Sequence, residues 1–424
     1  MGPLADGSTA VVIGGGPGGA ACAIALKRLS REMGRGIEVV LYEGKRFAEP
    51  HYNQCVGVLS PPIDLFLRDR LGVPFPRNLV QRMITGYTLH TRQSRIVLDG
   101  HSEPAYALRR VQFDNYLLEQ AQLQGVQVVH SRVTDLEFNE DRVMIFSESD
   151  NREAAVVVGA FGLDAGTAMV LGRAVHYVAP KALSTIVTKV HPPAEVMENF
   201  GNQIHAFLPS IPEIEFGAVT PKGNHLSINI AGAEVDVEAM KRFLSWGRLR
   251  AVVPFLDPEG ADGAGPLRYF KGRIPISIAH GYYGDRYVLV GDAAGLLRAF
   301  KGKGVNSACQ TGLWAAEIIL RHGVSRMVFA EHYERVCREI LRDLPYGRAM
   351  RHFVGLGRRT GLLDRLVTIA RDEPVLLNAL FDAVSGNETY RAIVRDLFRP
   401  GLVSRALVGL VRDRRVSSKR ALLS

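Results

Sequence analysis

The stretch Val11–Leu26, VVIGGGPGGAACAIAL, leaves few folds open. A short apolar run, Ala10–Ile13, meets glycines at once and then a helix of small residues. The order is strand, tight turn, helix. Gly14, Gly16 and Gly19 stand on G-x-G-x-x-G spacing. On that spacing the first glycine allows the turn, the second lets a pyrophosphate approach the backbone, and the third lets the helix lie close on the strand. The helix N-terminus then offers free N–H groups and a positive dipole end to phosphates. Gly14, Gly16, Pro17 and Gly19 are thus candidate cofactor contacts. Ile37–Tyr42 reads as a second buried strand with Glu43 at its end. Glu43 lies 29 positions after Gly14, where about 20 is usual. The longer crossover Lys27–Gly36 absorbs the excess. Glu43 is the candidate acceptor for the hydroxyls of an adenosine ribose. A glycine turn without a ligand is the alternative, but the complete strand, turn, helix and acid favour a nucleotide.

With 424 residues, 47% of them hydrophobic, the chain can bury a large core in two or three domains. Its four cysteines, Cys22, Cys55, Cys309 and Cys337, form neither C-x-x-C nor a metal-ligand spacing. That predicts a reduced, cytoplasmic protein with no structural disulfide and no metal site. The first apolar run is broken by glycines and lacks a basic flank, which predicts no secretory leader. No stretch is long and apolar enough to span a bilayer. The net charge of +9 gathers at the C-terminus, where seven basic residues from Arg399 onward face Asp413 alone. No nucleic-acid motif accompanies them, so no nucleic-acid partner is expected. Leu402, Val403, Ala406, Leu407, Leu410 and Val411 fall on one helical face beside this charge. The stripe and the basic tail together suit an anionic membrane surface, peripheral to the inner face of the membrane. Packing of the stripe on the nucleotide domain is the alternative.

The second motif is Tyr287–Asn306, YVLVGDAAGLLRAFKGKGVN. A buried strand delivers Asp292 to its C-terminal end, where open α/β sheets bind ligand. An aspartate there can accept from a ribityl hydroxyl. Gly302 and Gly304 permit a tight loop, and the N–H groups at Val305 and Asn306 open the next helix. They can face the pyrimidine edge of a flavin and favour its reduced, anionic form.

With these motifs in order, the sequence resembles the flavin-dependent group that contains para-hydroxybenzoate hydroxylase and the geranylgeranyl reductases. GGGPGG with Glu43, a degenerate VVVGAFGLD at Val156–Asp164, and GDAAG…GKGVN carry the resemblance over most of Thr9–Leu320. It implies bound FAD, and Arg110 in RRVQFD matches an arginine near the ribityl chain. Two stretches lean toward the geranylgeranyl reductase branch. QCVGVLSPP is similar to that family's C-G-G loop, whose cysteine lies near flavin and substrate; here it is Cys55, with Val56 in place of the first glycine. FGAVTPKGNHLSINIAG resembles the family's Y-x-W-x-F-P-K…N-V-G stretch, matching closely at Pro221, Lys222, Asn229 and Gly232. The middle motif departs from A-D-G, reading Ala160-Phe161-Gly162.

The expected fold class is α/β, α+β overall: a Rossmann-like FAD-binding domain with an inserted antiparallel-sheet substrate domain and a C-terminal helical region. The FAD-binding domain is expected in three parts, residues 1–80, 106–171 and 271–325. Substrate strands are expected at 81–105 and 172–270, and helices at 326–424. Within these, Pro62–Leu71 reads as a helix, and Asp114 reads as the cap of the helix that runs to Gln120. No second G-x-G-x-x-G unit exists, so no dedicated nicotinamide domain is expected. The electron donor is then NAD(P)H docking transiently, or a reduced carrier protein. The histidines show no H-x-x-x-H ligand pairing, which favours surface or hydrogen-bonded roles.

Three activities fit this reading. The leading one is a reductase that passes hydride from reduced FAD to a carbon–carbon double bond of an apolar, isoprenoid-like or secondary-metabolite substrate, with Cys55 giving the proton. Packing is the alternative role for Cys55. The second activity is a monooxygenase. The third is a membrane-peripheral flavoprotein passing electrons to a quinone.

Overall fold

A βαβ unit with a glycine turn needs parallel partners on both sides of its first strand, and the chain supplies them. The computed structural model describes residues 1–46, 55–99, 103–256, 267–297 and 304–397. These divide into two units.

The first unit comprises residues 1–82, 105–184 and 272–344. It is built on a six-stranded sheet in the order Tyr283–Gly284, Tyr287–Leu289, Val156–Gly159, Thr9–Ile13, Glu38–Tyr42, Gln127–Val129. All pairs are parallel except the Tyr283–Gly284 edge. Such strands are buried on both faces, which explains the unbroken apolar runs AVVI, VVLY and VVV. Helix Pro17–Glu32 follows the glycine turn and lies against helix Gly304–Arg321. A Cβ at Gly312 would come within 2.3 Å of the Gly18 carbonyl oxygen, so only glycine allows this approach. Cys22 and Cys309 are fully buried at this contact, which suits their reading as packing residues. A separate antiparallel sheet joins Val133–Phe138, Val143–Ser147 and Asn151–Ala154.

The second unit comprises residues 83–104, 185–271 and 345–424. Its sheet has seven strands in the order Tyr269–Pro275, Ala182–Val190, Leu226–Gly232, Phe216–Pro221, Gln203–Phe207, Gly86–His90, Arg95–Asp99. Helix Val237–Leu244 packs Met240, Phe243 and Leu244 onto one face, against Phe207, Val219, Ile228 and Ile230. Leu89, Ile96 and Leu98 on the other face meet Val367, Ala370 and Leu376 of helices Leu362–Ala370 and Pro374–Ser385.

Three local expectations change. The second sheet is not wholly antiparallel: Gln203–Phe207 pairs in parallel with Gly86–His90. Parallel neighbours need a long crossover, and the chain from Arg95 to Asn202 provides one. The helix expected at Pro62–Leu71 is present from Ile63, but it changes type, from an α-turn at Ile63–Leu65 to a π-helical turn at Phe66–Arg70. Finally, the helix expected to be capped by Asp114 begins at Arg110, so Asp114 lies inside it. Gly302, Lys301, Lys303 and the stripe Leu402–Val411 lie outside the described residues. Among the described residues, no helix is long and apolar enough to cross a membrane.

Candidate functional site

The glycine turn shows which of its positions serve the fold and which leave room. Gly14 has φ of +107°, and a Cβ there would lie 2.5 Å from the Ala160 carbonyl oxygen. A Cβ at Gly19 would lie 1.8 Å from the Gly14 carbonyl oxygen. Both positions exclude any side chain. Gly16 differs: nothing stands within 4 Å of its Cβ position. It is the N-cap of helix Pro17–Glu32, Pro17 begins the helix, and no side chain caps it. The open space therefore lies at an uncapped helix N-terminus, which suits an anion. Glu43, half-buried, accepts hydrogen bonds from the Gly15 N–H and the Lys45 N–H, each 2.8 Å. It thus braces the turn, and its carboxylate keeps lone pairs for a further donor.

A second cluster forms around Arg110, the first residue of helix Arg110–Leu123. Its guanidinium donates to both oxygens of Asp114, one turn on, at 2.9 and 3.1 Å. The two side chains are 12% and 5% exposed. Burial opposes the Arg110 charge, but Asp114, Cys55 and Asp292 outweigh it and push its pKa up. Arg110 therefore draws three candidate acidic groups from three segments into one field. Asp292 sits in the turn Gly291–Ala293 that follows strand Tyr287–Leu289. Burial raises the Asp292 pKa, with Arg110 acting in the opposite direction. Its carboxylate makes no hydrogen bond among the described residues. Gly304 lies next to it: a Cβ there would be 3.8 Å from Asp292 Oδ1.

Helix Gly304–Arg321 starts at this point, with Val305 buried and Asn306 half-buried in its first turn. Asn306 donates through Nδ2 to the Ser60 carbonyl oxygen at 2.9 Å, which ties the helix start to the segment that carries Cys55. Asn306 Oδ1 is buried without a partner. Cys55 itself is exposed, and its Sγ accepts from the Gly57 N–H at 3.4 Å. In the middle motif, Phe161 stands where an acid is usual. Its ring meets Tyr177 edge-on at 6.0 Å, and the Tyr177 hydroxyl donates to the Ala293 carbonyl oxygen at 2.9 Å. An apolar contact thus stands beside the Asp292 turn. Beyond it lies a cavity of about 470 Å³, with Leu163, Ala168, Met169 and Val178 in its lining and Arg173 and Arg273 beside them. Both arginines are exposed.

Gly14, Gly16, Pro17, Gly19 and Glu43 thus meet at one helix start, and Cys55, Arg110, Asp292, Gly304 and Asn306 gather at another. Asp114 and Ser60 complete the second group. The i, i+4 spacing of Arg110 and Asp114 is legible as a helical ion pair once the helix start is placed correctly. Ser60 carries no such signal, because its carbonyl is the contact. The residues suit a flavin dinucleotide: open space at an uncapped N-terminus, an unpartnered carboxylate at a strand end, and an orphaned amide oxygen near the second N-terminus. Among the described residues no group of three or more His, Cys, Asp or Glu side chains can hold a metal ion.

Comparison with known proteins agrees. The chain is 24% identical over 373 residues to the digeranylgeranylglycerophospholipid reductase of Methanococcus vannielii, covering 82% of this chain and 87% of the relative. It is 25% identical over 329 residues to a chloroplastic geranylgeranyl diphosphate reductase of Oryza sativa subsp. japonica, covering 73% of this chain and 65% of the relative. Its fold is shared with a geranylgeranyl bacteriochlorophyll reductase-like protein of Thermoplasma acidophilum, at a TM-score of 0.69 and 18% identity, over 93% of this chain and 99% of that one. The profile of the FAD binding domain matches residues 8–322. The chain belongs to the FAD binding domain family and is an FAD-dependent oxidoreductase.

Proposed function

We propose that the chain is a reductase that transfers a hydride from reduced FAD to a carbon–carbon double bond of an apolar, isoprenoid-like substrate. The observation that carries this is the start of helix Gly304–Arg321, set beside Asp292 and tied through Asn306 to the segment that carries Cys55, in a chain whose relatives are named as reductases of geranylgeranyl compounds. Bound FAD supplies the hydride. The open N-terminus at Gly14, Gly16, Pro17 and Gly19 holds the pyrophosphate, and Glu43 accepts from the adenosine ribose. Asp292 accepts from the ribityl chain, with Arg110 beside it. The N–H groups at Val305 and Asn306, in the first turn of helix Gly304–Arg321, would face the pyrimidine edge.

Saturating a double bond needs a proton on the carbon opposite the hydride. In this reading the Cys55 thiol gives it. Because Cys55 is exposed, solvent restores its proton. Cys55→Ala is expected to keep FAD and its reduction by the donor. It should slow reoxidation of the reduced enzyme by substrate by about 10²-fold or more, the lower end for a positioned acid. Single-turnover stopped-flow measures this. Unchanged reoxidation overturns the proton-donor role, and substrate-dependent oxygen consumption assigns the chain to monooxygenases instead.

Of the two donors, NAD(P)H is the one taken up in this reading. The cavity beside Tyr177 offers an apolar wall and two guanidinium groups, Arg173 and Arg273, which complement a nicotinamide and a pyrophosphate. Arg173→Ala with Arg273→Ala should raise the KM for NAD(P)H about tenfold while dithionite still reduces the flavin at the wild-type rate. An unaltered KM places the nicotinamide away from this cavity, and a wild-type flavin that NAD(P)H does not reduce points to the carrier protein.

A further inference from the structure

Helix Arg338–Thr360 enters the second unit at Pro345. From Pro345 to Thr360 it contains four arginines and no acidic residue. Two of these arginines anchor the inner face of the helix. Arg351 pairs with both oxygens of Glu215, at 2.6 Å to Oε1, and Arg358 donates to the carbonyl oxygens of Pro209 and Ile214. The outer face does the opposite of what a soluble helix does. Tyr346, Phe353 and Leu356 are 37, 45 and 62% exposed. With Ala349 and Thr360, also exposed, they fill an arc of about 80° on a wheel of about 100° per residue. Arg348, His352 and Arg359, all exposed, occupy the adjoining arc.

We infer that this face of Pro345–Thr360 lies on an anionic phospholipid surface, with Tyr346, Phe353 and Leu356 in the headgroup–acyl boundary and Arg348 and Arg359 on the phosphates. An interfacial helix combines an apolar stripe with a row of basic residues in this way, and long arginine stems let the charge reach the phosphates from the edge of the stripe. Charge selects the occupant. A second copy of this face would bring Arg348 and Arg359 against another such row, and the segment holds no acid to answer them. An anionic surface supplies the opposite sign, and each basic side chain near it adds to the attraction. The inference stands apart from the reductase reading, because binding is measured without turnover.

The test uses the full-length, FAD-loaded protein with vesicles of phosphatidylcholine alone or of equal parts phosphatidylcholine and phosphatidylglycerol. Wild type should sediment with the mixed vesicles at low salt and much less with phosphatidylcholine alone. Phe353→Asp with Leu356→Asp, and separately Arg348→Glu with Arg359→Glu, should each weaken binding at least tenfold. Their flavin spectra and melting temperatures should stay those of wild type, since these side chains are exposed. Phe353→Trp should show a blue-shifted emission on mixing with the anionic vesicles. Three results overturn the inference: no sedimentation of wild type, sedimentation unchanged in both double variants, or binding lost only when Arg412, Arg414 and Arg415 are reversed. Concentration-dependent dimerisation that Phe353→Asp with Leu356→Asp abolishes, without vesicle binding, assigns the face to a second copy and also overturns it.

Discussion

At the scale of single residues, the glycine turn separates two kinds of constraint that a G-x-G-x-x-G match merges. Gly19 is closed by the backbone of Gly14, and Gly16 is closed by nothing the protein contributes. Gly19→Ala is therefore expected to damage the fold: its Cβ would overlap a backbone oxygen, so strand and helix must separate. Gly16→Val is expected to fold with near wild-type melting of the cofactor-free protein, yet to purify colourless, because its side chain enters only the pyrophosphate space. Absorbance at flavin wavelengths and thermal unfolding together check the pair. A yellow Gly16→Val protein sinks the assignment of that space to FAD. The same scale shows what the sequence could express. Gly14, Gly16 and Gly19 are legible because spacing encodes turn geometry directly. The Arg110–Asp114 pair was half-legible: both residues stand in one short segment, but reading Asp114 as a cap misplaced the helix start. Ser60 was illegible, since it contributes a backbone carbonyl that any residue type provides.

At the scale of elements, the parallel core read clearly because a strand buried on both faces must be an apolar run, as in AVVI and VVV. The inserted sheet read less well, because alternation gives strands but not their partners. The parallel pairing of Gly86–His90 with Gln203–Phe207 depends on a crossover of more than a hundred residues, which no local pattern records. That pairing has a chemical consequence. It sets His90 Nε2 3.0 Å from His205 Nδ1, with the Phe207 ring stacked on His90 at 4.5 Å. Burial first, then His205, Arg95 and Arg248, push His90 down to about 3. Burial and Arg95 push His205 down to about 4. Both imidazoles thus stay neutral in the fold, while the unfolded chain takes up their protons near the ordinary value of 6.5. Between these limits the unfolded state binds more protons, so stability rises with pH. The pair's contribution is complete above about pH 6.5 and is lost progressively as pH falls toward 4. Urea titrations from pH 7 to pH 4 should show this slope, and His90→Gln with His205→Gln should flatten it even if the variant is less stable throughout. A slope equal to that of wild type places the acid sensitivity elsewhere.

At the scale of the whole molecule, every FAD contact proposed here comes from the first unit, while the face assigned to lipid belongs to the second. The chain crosses between units repeatedly, so neither is a contiguous piece of sequence. That is why domain order was harder to read than motif order: each motif is local, but a unit is assembled from three segments with up to 87 residues of the other unit between them. The cofactor joins several of those segments. Gly16 with Pro17, Glu43, Arg110, Asp292 and Gly304 lie on five stretches of chain that a single dinucleotide would touch. Binding confined to the folded state stabilises it by mass action, by about 2.7 kcal/mol when free ligand reaches about a hundred times its Kd. For a chain of this size, one such increment shifts the midpoint by only a few degrees. Stripping FAD at acid pH in high bromide and returning the protein to neutral buffer should therefore lower the melting temperature by several degrees. Titrated FAD should restore it logarithmically. FMN should restore much less, because it reaches Asp292 and Gly304 but leaves the space at Gly16 and the Glu43 carboxylate untouched. If FMN restores the full shift, the dinucleotide half of the site contributes nothing, and the role assigned to the first glycine turn is wrong.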